Sequence, residues 1–122
     1  MAATQTHDVC SVEDLPPGGV VLADVGPYGV AVYNVNGEFH ALNNRCPHMG
    51  APMCRGRISG MATENPDGTW GWTREGEIVE CPWHGWKFAI ADGRSLTKPV
   101  QRIRRFVVRV IDDRVVLETD ER

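Results

Sequence analysis

Two short motifs decide how this sequence is interpreted, Cys46-Pro47-His48 and, farther along the chain, Cys81-Pro82-Trp83-His84-Gly85. Each motif offers one thiolate and one imidazole, and each places a proline directly after its cysteine. Two cysteines and two histidines can hold a 2Fe-2S cluster, with the cysteines on one iron and the histidines on the other. The same residue types also bind structural zinc. The paired motifs therefore predict a metal centre between two facing loops.

The spacing of the first motif bears on the choice between these metals. Cys46 and His48 have a single residue between them, whereas zinc sites usually separate paired ligands by two or more residues. The spacing favours the cluster and leaves zinc as the competing interpretation. Four cysteines in a short chain could also form disulfides, but residues 1–10 have neither the basic start nor the apolar stretch of a secretory signal.

With both motifs in place, the sequence resembles the Rieske family over Val20–Leu117. The string CPWHGWKF at residues 81–88 is most similar to the ferredoxins and oxygenase domains of that family. The resemblance implies one 2Fe-2S cluster per chain, with a deeper iron on the two cysteines and an outer iron on the two histidines. The implied cofactor and metal ligands are Cys46, His48, Cys81 and His84.

The chain departs from the Rieske proteins of respiratory complexes, which carry an extra disulfide. The two cysteines of that disulfide correspond to Ala51 and Trp83 in this sequence, so the disulfide cannot form here. A serine and a tyrosine that donate hydroxyl hydrogen bonds to the cluster in those proteins correspond to Trp86 and Phe88. Losing donors destabilises the reduced state, which implies a potential near the low end of the Rieske range. Cys54 has no candidate partner and is expected to be a buried thiol.

Composition limits the class of protein. The chain has 122 residues, 42% of them hydrophobic, which suits one globular domain. Its net charge of -3 argues against nucleic acid or an anionic membrane as a partner. No apolar run reaches the length of a membrane span. Together with the unpaired cysteines, these features predict a protein of a reducing cytoplasm.

Short strands and turns dominate the rest of the chain. Asn36-Gly37 suits a type I′ turn between strands at Gly29–Val35 and Glu38–Leu42. A second hairpin is predicted near the end, with strands at Ile103–Ile111 and Val115–Leu117. The expected core side chains of the first hairpin are Val30, Val32, Phe39 and Leu42. In the second hairpin Phe106, Val108 and Val110 are expected to share one strand face. No segment shows sustained helical periodicity, so the fold class is predicted to be all-β.

Residues 1–122 are expected to form a single Rieske domain. Its base is a Rieske-like β-sandwich or barrel, into which a small cluster-binding subdomain of about residues 43–98 is inserted. The stretch at about residues 55–78 looks longer than in typical oxygenase ferredoxins, and its Asn-Pro-Asp-Gly turn predicts a hairpin flap. Trp70 and Trp72 either pack on the base or contact a partner, and packing is favoured. Residues 1–10 are expected to be loose.

The residues that are missing limit the activity. A Rieske oxygenase also needs a mononuclear iron, usually on two histidines and a carboxylate. Apart from the motif histidines, the chain has only His7, in the expected tail, and His40, on a predicted strand. No glycine-rich nucleotide motif follows a strand. We therefore expect an electron-transfer component rather than a complete enzyme.

The function predicted from the sequence is that of a one-electron carrier. A Rieske-type ferredoxin of this kind would pass electrons from a flavin reductase to a terminal oxygenase. The alternatives are a small Rieske subunit fixed in a larger oxidoreductase, such as a nitrite reductase-like complex, and a zinc-stabilised interaction module. Basic residues flank the ligand loops, and a solvated rim is favoured over a contact with an acidic partner. These residues are Arg45, Arg55, Arg57 and Lys87.

Overall fold

The computed structural model describes residues 4–47, 50–83, 85–97 and 101–120. These residues form nine strands and two single-turn 3-10 helices, at Val12–Asp14 and Met53–Arg55. The strands are β1 (Thr4–Ser11), β2 (Val20–Ala23), β3 (Val30–Val35), β4 (Glu38–Asn43), β5 (Arg57–Glu64), β6 (Trp70–Glu80), β7 (Lys87–Ala89), β8 (Arg105–Ile111) and β9 (Arg114–Asp120). The predicted all-β class is confirmed. None of the described helices is long and apolar enough to cross a membrane.

Six strands form one antiparallel sheet in the order β1-β9-β8-β4-β3-β2. The two ends of the chain meet in this sheet, because β1 pairs with β9 from Thr4 opposite Asp120 to Ser11 opposite Arg114. The expectation that residues 1–10 are loose is therefore wrong for the described part. Backbone hydrogen bonds hold β1 against β9, a strand more than a hundred residues away. A pairing over this distance cannot be predicted from the residues of β1 alone.

Strand β3 lies between two hydrophobic cores. All six of its residues are buried, and successive side chains of a strand point to opposite faces. Ala31, Tyr33 and Val35 belong to the core that contains Cys46 and Cys81, and we call it the loop core. Val30 and Val32 belong to the other core, between β3 and the chain ends, and we call it the base core.

Both predicted hairpins of the base are present. Asn36 and Gly37 have positive φ angles of 52° and 97°, as a type I′ turn requires. Asp112 and Asp113 make the second turn with φ angles of 50° and 62°. Of the expected core residues, Val30, Val32 and Leu42 are buried, and Phe39 is partly buried against the base core. Phe106 and Val108 of β8 are partly buried against the same core. Val110, farther along the same strand, is 51% exposed.

The second sheet contains β5, β6 and β7 and holds the predicted flap. Strands β5 and β6 pair as a hairpin, as expected, with a register shift between Ser59 and Met61. A side chain at Gly60 would lie 2.5 Å from the carbonyl oxygen of Thr73, so the shift needs glycine there. Only the inner end of the hairpin reaches the core, where Ile78 and Val79 are fully buried.

The outer half of this hairpin extends beyond the core. Trp70 is 72% exposed and Trp72 is 55% exposed, so the favoured packing of these side chains on the base is wrong. Beyond the register shift, the other residues of the hairpin are at most partly buried, because no described layer covers them. A protruding two-stranded arm leaves its aromatic side chains in water whatever their hydrophobicity.

Candidate metal centre

The two cysteine motifs lie in loops that share one backbone pattern. We call residues 46–51 ligand loop 1 and residues 81–86 ligand loop 2. In loop 1 the Cys46 N–H donates to the Ala51 carbonyl at 2.9 Å, and the Gly50 N–H donates to the Cys46 carbonyl at 2.8 Å. In loop 2 the Cys81 N–H donates to the Trp86 carbonyl at 2.7 Å, and the Gly85 N–H donates to the Cys81 carbonyl at 3.0 Å.

The shared pattern follows from the shared sequence Cys-Pro-x-x-Gly. Proline fixes φ and supplies no N–H directly after the cysteine. The glycine four positions after each cysteine has a positive φ, 80° at Gly50 and 70° at Gly85, which reverses the chain. A side chain at Gly85 would meet no heavy atom within 4 Å, so this glycine is required for its conformation rather than for a close approach.

Both cysteines point into the loop core. Cys46 is fully buried and Cys81 is 3% exposed, and both pack within one cluster that includes Tyr33, Met53 and Phe88. A thiolate without a partner is costly in such apolar surroundings. Coordination to a metal removes that cost, since it deprotonates the thiol and shares its charge. Two soft sulfur donors at equivalent positions of two matched loops therefore suit the cysteine half of the implied cluster.

The histidine half of the predicted ligand set falls on His48 and His84, which lie outside the described residues. The described residue next to each of them is exposed. Pro47 precedes His48 and is exposed, and Trp83 precedes His84 and is 56% exposed. Each loop thus buries its cysteine and brings the following residues to the protein surface.

Asn44 supports loop 1, although nothing in the sequence singled it out. This residue is 8% exposed, and its side-chain amide donates to the Tyr28 carbonyl at 3.2 Å. Its side-chain oxygen accepts from the Cys54 N–H at 2.6 Å. Asn44 therefore ties the chain before loop 1 to the chain after it. Asparagine is common in loops, so its presence at position 44 does not by itself predict that it supports loop 1.

The positions that could carry hydroxyl donors hold aromatic rings. Phe88 is fully buried in the loop core, and Trp86 packs near it with ring centroids 6.5 Å apart. The buried phenol of this core belongs to Tyr33, a second residue that the sequence did not single out. Its hydroxyl donates to the Met53 carbonyl at 3.1 Å, and burial raises the pKa of Tyr33. The Tyr33 hydroxyl is thus engaged with backbone.

The remaining cysteines and histidines lie on other elements. Cys10 and Cys54 are partly buried free thiols, and Cys81 is also free of disulfides. Burial, followed by the carboxylate of Asp14, raises the pKa of Cys10. His7 lies on β1, hydrogen-bonded to Thr119 at 2.9 Å, and His40 lies on β4. Two strands, β9 and β8, separate these histidines.

Comparisons with known proteins identify the class. The family model for the Rieske 2Fe-2S domain matches residues 5–112. The 3-phenylpropionate/cinnamic acid dioxygenase ferredoxin subunit of Escherichia coli K12 is 36% identical over 90 residues, which cover 74% of this chain and 70% of that protein. The chain therefore belongs to the Rieske family, and its family implies a 2Fe-2S cluster rather than zinc.

Two further matches show different settings of the same domain. Apoptosis-inducing factor 3 of Mus musculus is 32% identical over 114 residues, and the match covers 93% of this chain but 16% of that protein. A solved complex of reduced oxygenase and oxidized ferredoxin in carbazole 1,9a-dioxygenase matches with a TM-score of 0.74 and 26% identity. That match covers 92% of this chain and 91% of the other chain.

Proposed function

We propose that this chain is a one-electron carrier of the Rieske ferredoxin type. Cys46 and Cys81 would hold one iron of a 2Fe-2S cluster, and His48 and His84 would hold the other. When bound, such a cluster accepts and releases one electron at a time. The observation that carries the proposal is the pair of matched loops, each of which buries a cysteine in the same core.

The chain's own residues would determine the setting of that cluster. The apolar loop core excludes water from the cysteine side, where Met53 and Phe88 are fully buried. The residues beside the two motif histidines reach the surface, which leaves that side of the loops open to another protein. An electron carrier needs this asymmetry, because transfer requires an edge that a partner can approach.

The relatives support particular partners. One of them is named as the ferredoxin subunit of a dioxygenase, and one solved relative is a complex between an oxygenase and its ferredoxin. We infer that this chain receives electrons from a flavin reductase and passes them to a terminal oxygenase. The same setting would place it in the cytoplasm. In this role the chain would be an electron-transfer component and not a complete enzyme by itself.

A second arrangement has its own support. In apoptosis-inducing factor 3 the region similar to this chain makes up 16% of a much longer protein. A Rieske domain can therefore belong permanently to a larger assembly, as in the alternative of a fixed subunit of an oxidoreductase. Purification of the tagged chain from its own organism separates the two arrangements: a fixed subunit co-purifies in constant ratio with a large partner, and a free carrier elutes alone.

The metal content tests the proposal directly. Protein purified without oxygen should contain two irons and two sulfides per chain, and should show the electron paramagnetic resonance signal of a reduced Rieske centre after addition of dithionite. Zinc in place of iron would contradict the proposal. His84→Ala and His48→Ala should each lose the signal, whereas His40→Ala, which changes a histidine on β4, should keep it.

A further inference from the structure

The two segments that carry the ligand loops are basic, although the whole chain is acidic. Residues 44–60 and 81–91 contain four basic residues and no aspartate or glutamate. With a net charge of -3 for the whole chain and +4 for these two segments, the remaining residues carry -7. The segments around the candidate metal centre are therefore locally positive, and residues 93–111, with six basic and no acidic residues, are the other basic stretch of the chain.

Tyr28 fixes the first of these cations at the edge of loop 1. The Arg45 guanidinium donates to the Tyr28 hydroxyl at 2.5 Å and lies 4.6 Å from the centre of the same ring. Arg45 also borders Gly50, where an added Cβ would lie 3.2 Å from its Nε atom. The side chain is thus held beside loop 1 while the residue stays exposed to solvent. Holding a cation in place lowers the entropy that it would lose on binding an anion.

The other three cations follow the loops. Arg55 ends the 3-10 helix after loop 1 and is exposed. Arg57 begins β5 and Lys87 begins β7, and both stand opposite Glu80 of β6. Glu80 is the acidic residue nearest in sequence to loop 2, and its carboxylate is 3.9 Å from the Arg57 guanidinium. One carboxylate between two cations leaves this row of side chains positive.

An exposed aromatic side chain lies in the same basic segment as Lys87. Trp83 belongs to loop 2 and is 56% exposed, two residues after the buried Cys81. Protein interfaces are enriched in tryptophan and arginine, with aromatic anchors near the centre and polar residues at the rim. Trp83 with its basic surroundings has this composition, whereas Trp70 and Trp72 lie on the protruding arm.

We propose that the ligand-loop face docks on an acidic surface of a redox protein, with Trp83 as the apolar anchor. Its basic rim consists of Arg45, Arg55, Arg57 and Lys87. This inference rests on the proposed electron-carrier function and specifies the chemistry of the partner surface. A protein partner is favoured over nucleic acid or a lipid surface, because the net charge of -3 disfavours binding to an extended polyanion. A merely solvated rim, the expectation from the sequence, is the outcome that the experiments below would show if the proposal fails.

Charged inorganic oxidants test the sign of the electrostatic potential at the ligand-loop face. The reduced protein would give one electron to hexacyanoferrate(III), forming hexacyanoferrate(II), or to hexaamminecobalt(III), forming cobalt(II). At about 0.1 M salt the Debye length is about 10 Å, so charges near the transfer site dominate. Raising the ionic strength from about 0.05 to 0.3 M should slow the anionic oxidant about twofold or more and accelerate the cationic one.

The net charge of the chain predicts the opposite signs for both oxidants, and that result would overturn the inference. It would not affect the proposed function, which fails only if the protein has no reducible cluster. The two failures are therefore distinguishable in one experiment.

Two matched double variants show which basic residues cause the salt dependence of the oxidation rate. The double variant Arg55→Gln/Arg57→Gln and the control Arg109→Gln/Arg114→Gln both remove two positive charges. The control residues lie on β8 and β9, in ion pairs with Glu118 and Asp8, and such exposed pairs contribute little to stability. The first variant should lose most of the salt dependence with the anionic oxidant, and the control should keep it. Equal effects of the two variants would refute the assignment to the loop face.

A protein probe tests the docking itself. Electron transfer from an acidic flavodoxin, reduced to its hydroquinone, should slow about tenfold in Trp83→Ala and change less than about twofold in Trp70→Ala. The absorption spectrum of each variant confirms that its cluster is intact. Equal rates for the two variants, or tighter binding to anionic vesicles or duplex DNA than to flavodoxin at the same salt concentration, would contradict the proposal.

Discussion

Ligand loops 1 and 2 have the same backbone turn but different supports. Loop 2 begins directly after β6 and leads into β7, and these strands pair from Glu80 opposite Lys87 onward. The sheet itself therefore closes loop 2. Loop 1 follows β4 but continues into a 3-10 helix, so no strand pair closes it. Asn44 closes it instead, because its side-chain oxygen accepts from the Cys54 N–H beyond the loop while its amide is anchored on the Tyr28 carbonyl. The same local geometry can thus rest on backbone pairing or on one buried side chain.

Replacement of the cysteine of either loop should have the largest effect, and it should be the same for both loops. Cys46→Ser and Cys81→Ser should each remove nearly all bound iron, because each cysteine would supply half of one iron's protein ligands. Cluster binding also contributes to folding, so the melting temperature should fall by roughly 10 °C or more. Iron analysis and thermal unfolding measure both effects.

Cys54→Ser provides the control, since Cys54 packs against the same core but lies outside both loops. It should keep the iron. Loss of iron from this control, or its retention in either loop variant, would show that the cysteines have been assigned wrongly.

The second effect, a loss of stability, should differ between the two loops. Asn44→Ala would remove two hydrogen bonds of a buried side chain in partly buried surroundings, and at about 0.5 to 1.5 kcal/mol each this costs about 1 to 3 kcal/mol. The corresponding polar support near loop 2 is Thr97, whose hydroxyl accepts from the Lys87 N–H at 3.0 Å in an exposed setting. Thr97→Ala should cost less than about 1 kcal/mol. Urea unfolding of both variants measures the difference, and equal costs would mean that the sheet closes both loops.

The third effect concerns the residue two positions after each loop, Met53 after loop 1 and Phe88 after loop 2, both fully buried. With phenylalanine there, we expect a midpoint potential in the lower part of the Rieske range of about -150 to +300 mV, nearly constant around neutral pH. A hydroxyl donor in Phe88→Tyr should raise it by roughly 40 mV, the equivalent of one hydrogen bond of about 1 kcal/mol.

Protein-film voltammetry of the wild type, of Phe88→Tyr and of Phe39→Tyr tests this. Phe39 packs on the base core, on the far side of β3 from the cysteines, so its variant should keep the wild-type potential. A wild-type midpoint above about +100 mV would contradict the first expectation. An unchanged midpoint in Phe88→Tyr would contradict the second.

The smallest effect is expected where the second sheet leaves the core. Replacing residues 62–72 by Asn-Gly would rejoin Met61 and Thr73, which already face each other in the hairpin. Because the removed tryptophans are exposed, stability should change by about 0.5 kcal/mol or less, with an unaltered cluster spectrum. A clearly lower melting temperature would show that the arm supports loop 2. Slower transfer to a physiological partner, with unchanged stability, would show that it contacts that partner.

Features that depend on near neighbours along the chain could be predicted from the sequence. The Cys-Pro-x-x-Gly strings specify the loop turns, since proline and glycine act on the backbone within a few residues. Asn36-Gly37 specifies the hairpin between β3 and β4 for the same reason. The spacing within the two motifs also pointed to the family that residues 5–112 match. The ligand roles of His48 and His84 stay predictions.

Features that depend on distant partners could be seen only in the folded chain. The pairing of β1 with β9 joins opposite ends of the chain, and its register follows from long-range packing rather than from residues 1–10. Trp70 and Trp72 are hydrophobic and yet exposed, because burial depends on whether another layer covers a strand. Asn44 matters because two distant backbone groups converge on it. Hydrophobicity and residue type state what a side chain favours, whereas the fold decides which groups come close enough to satisfy it.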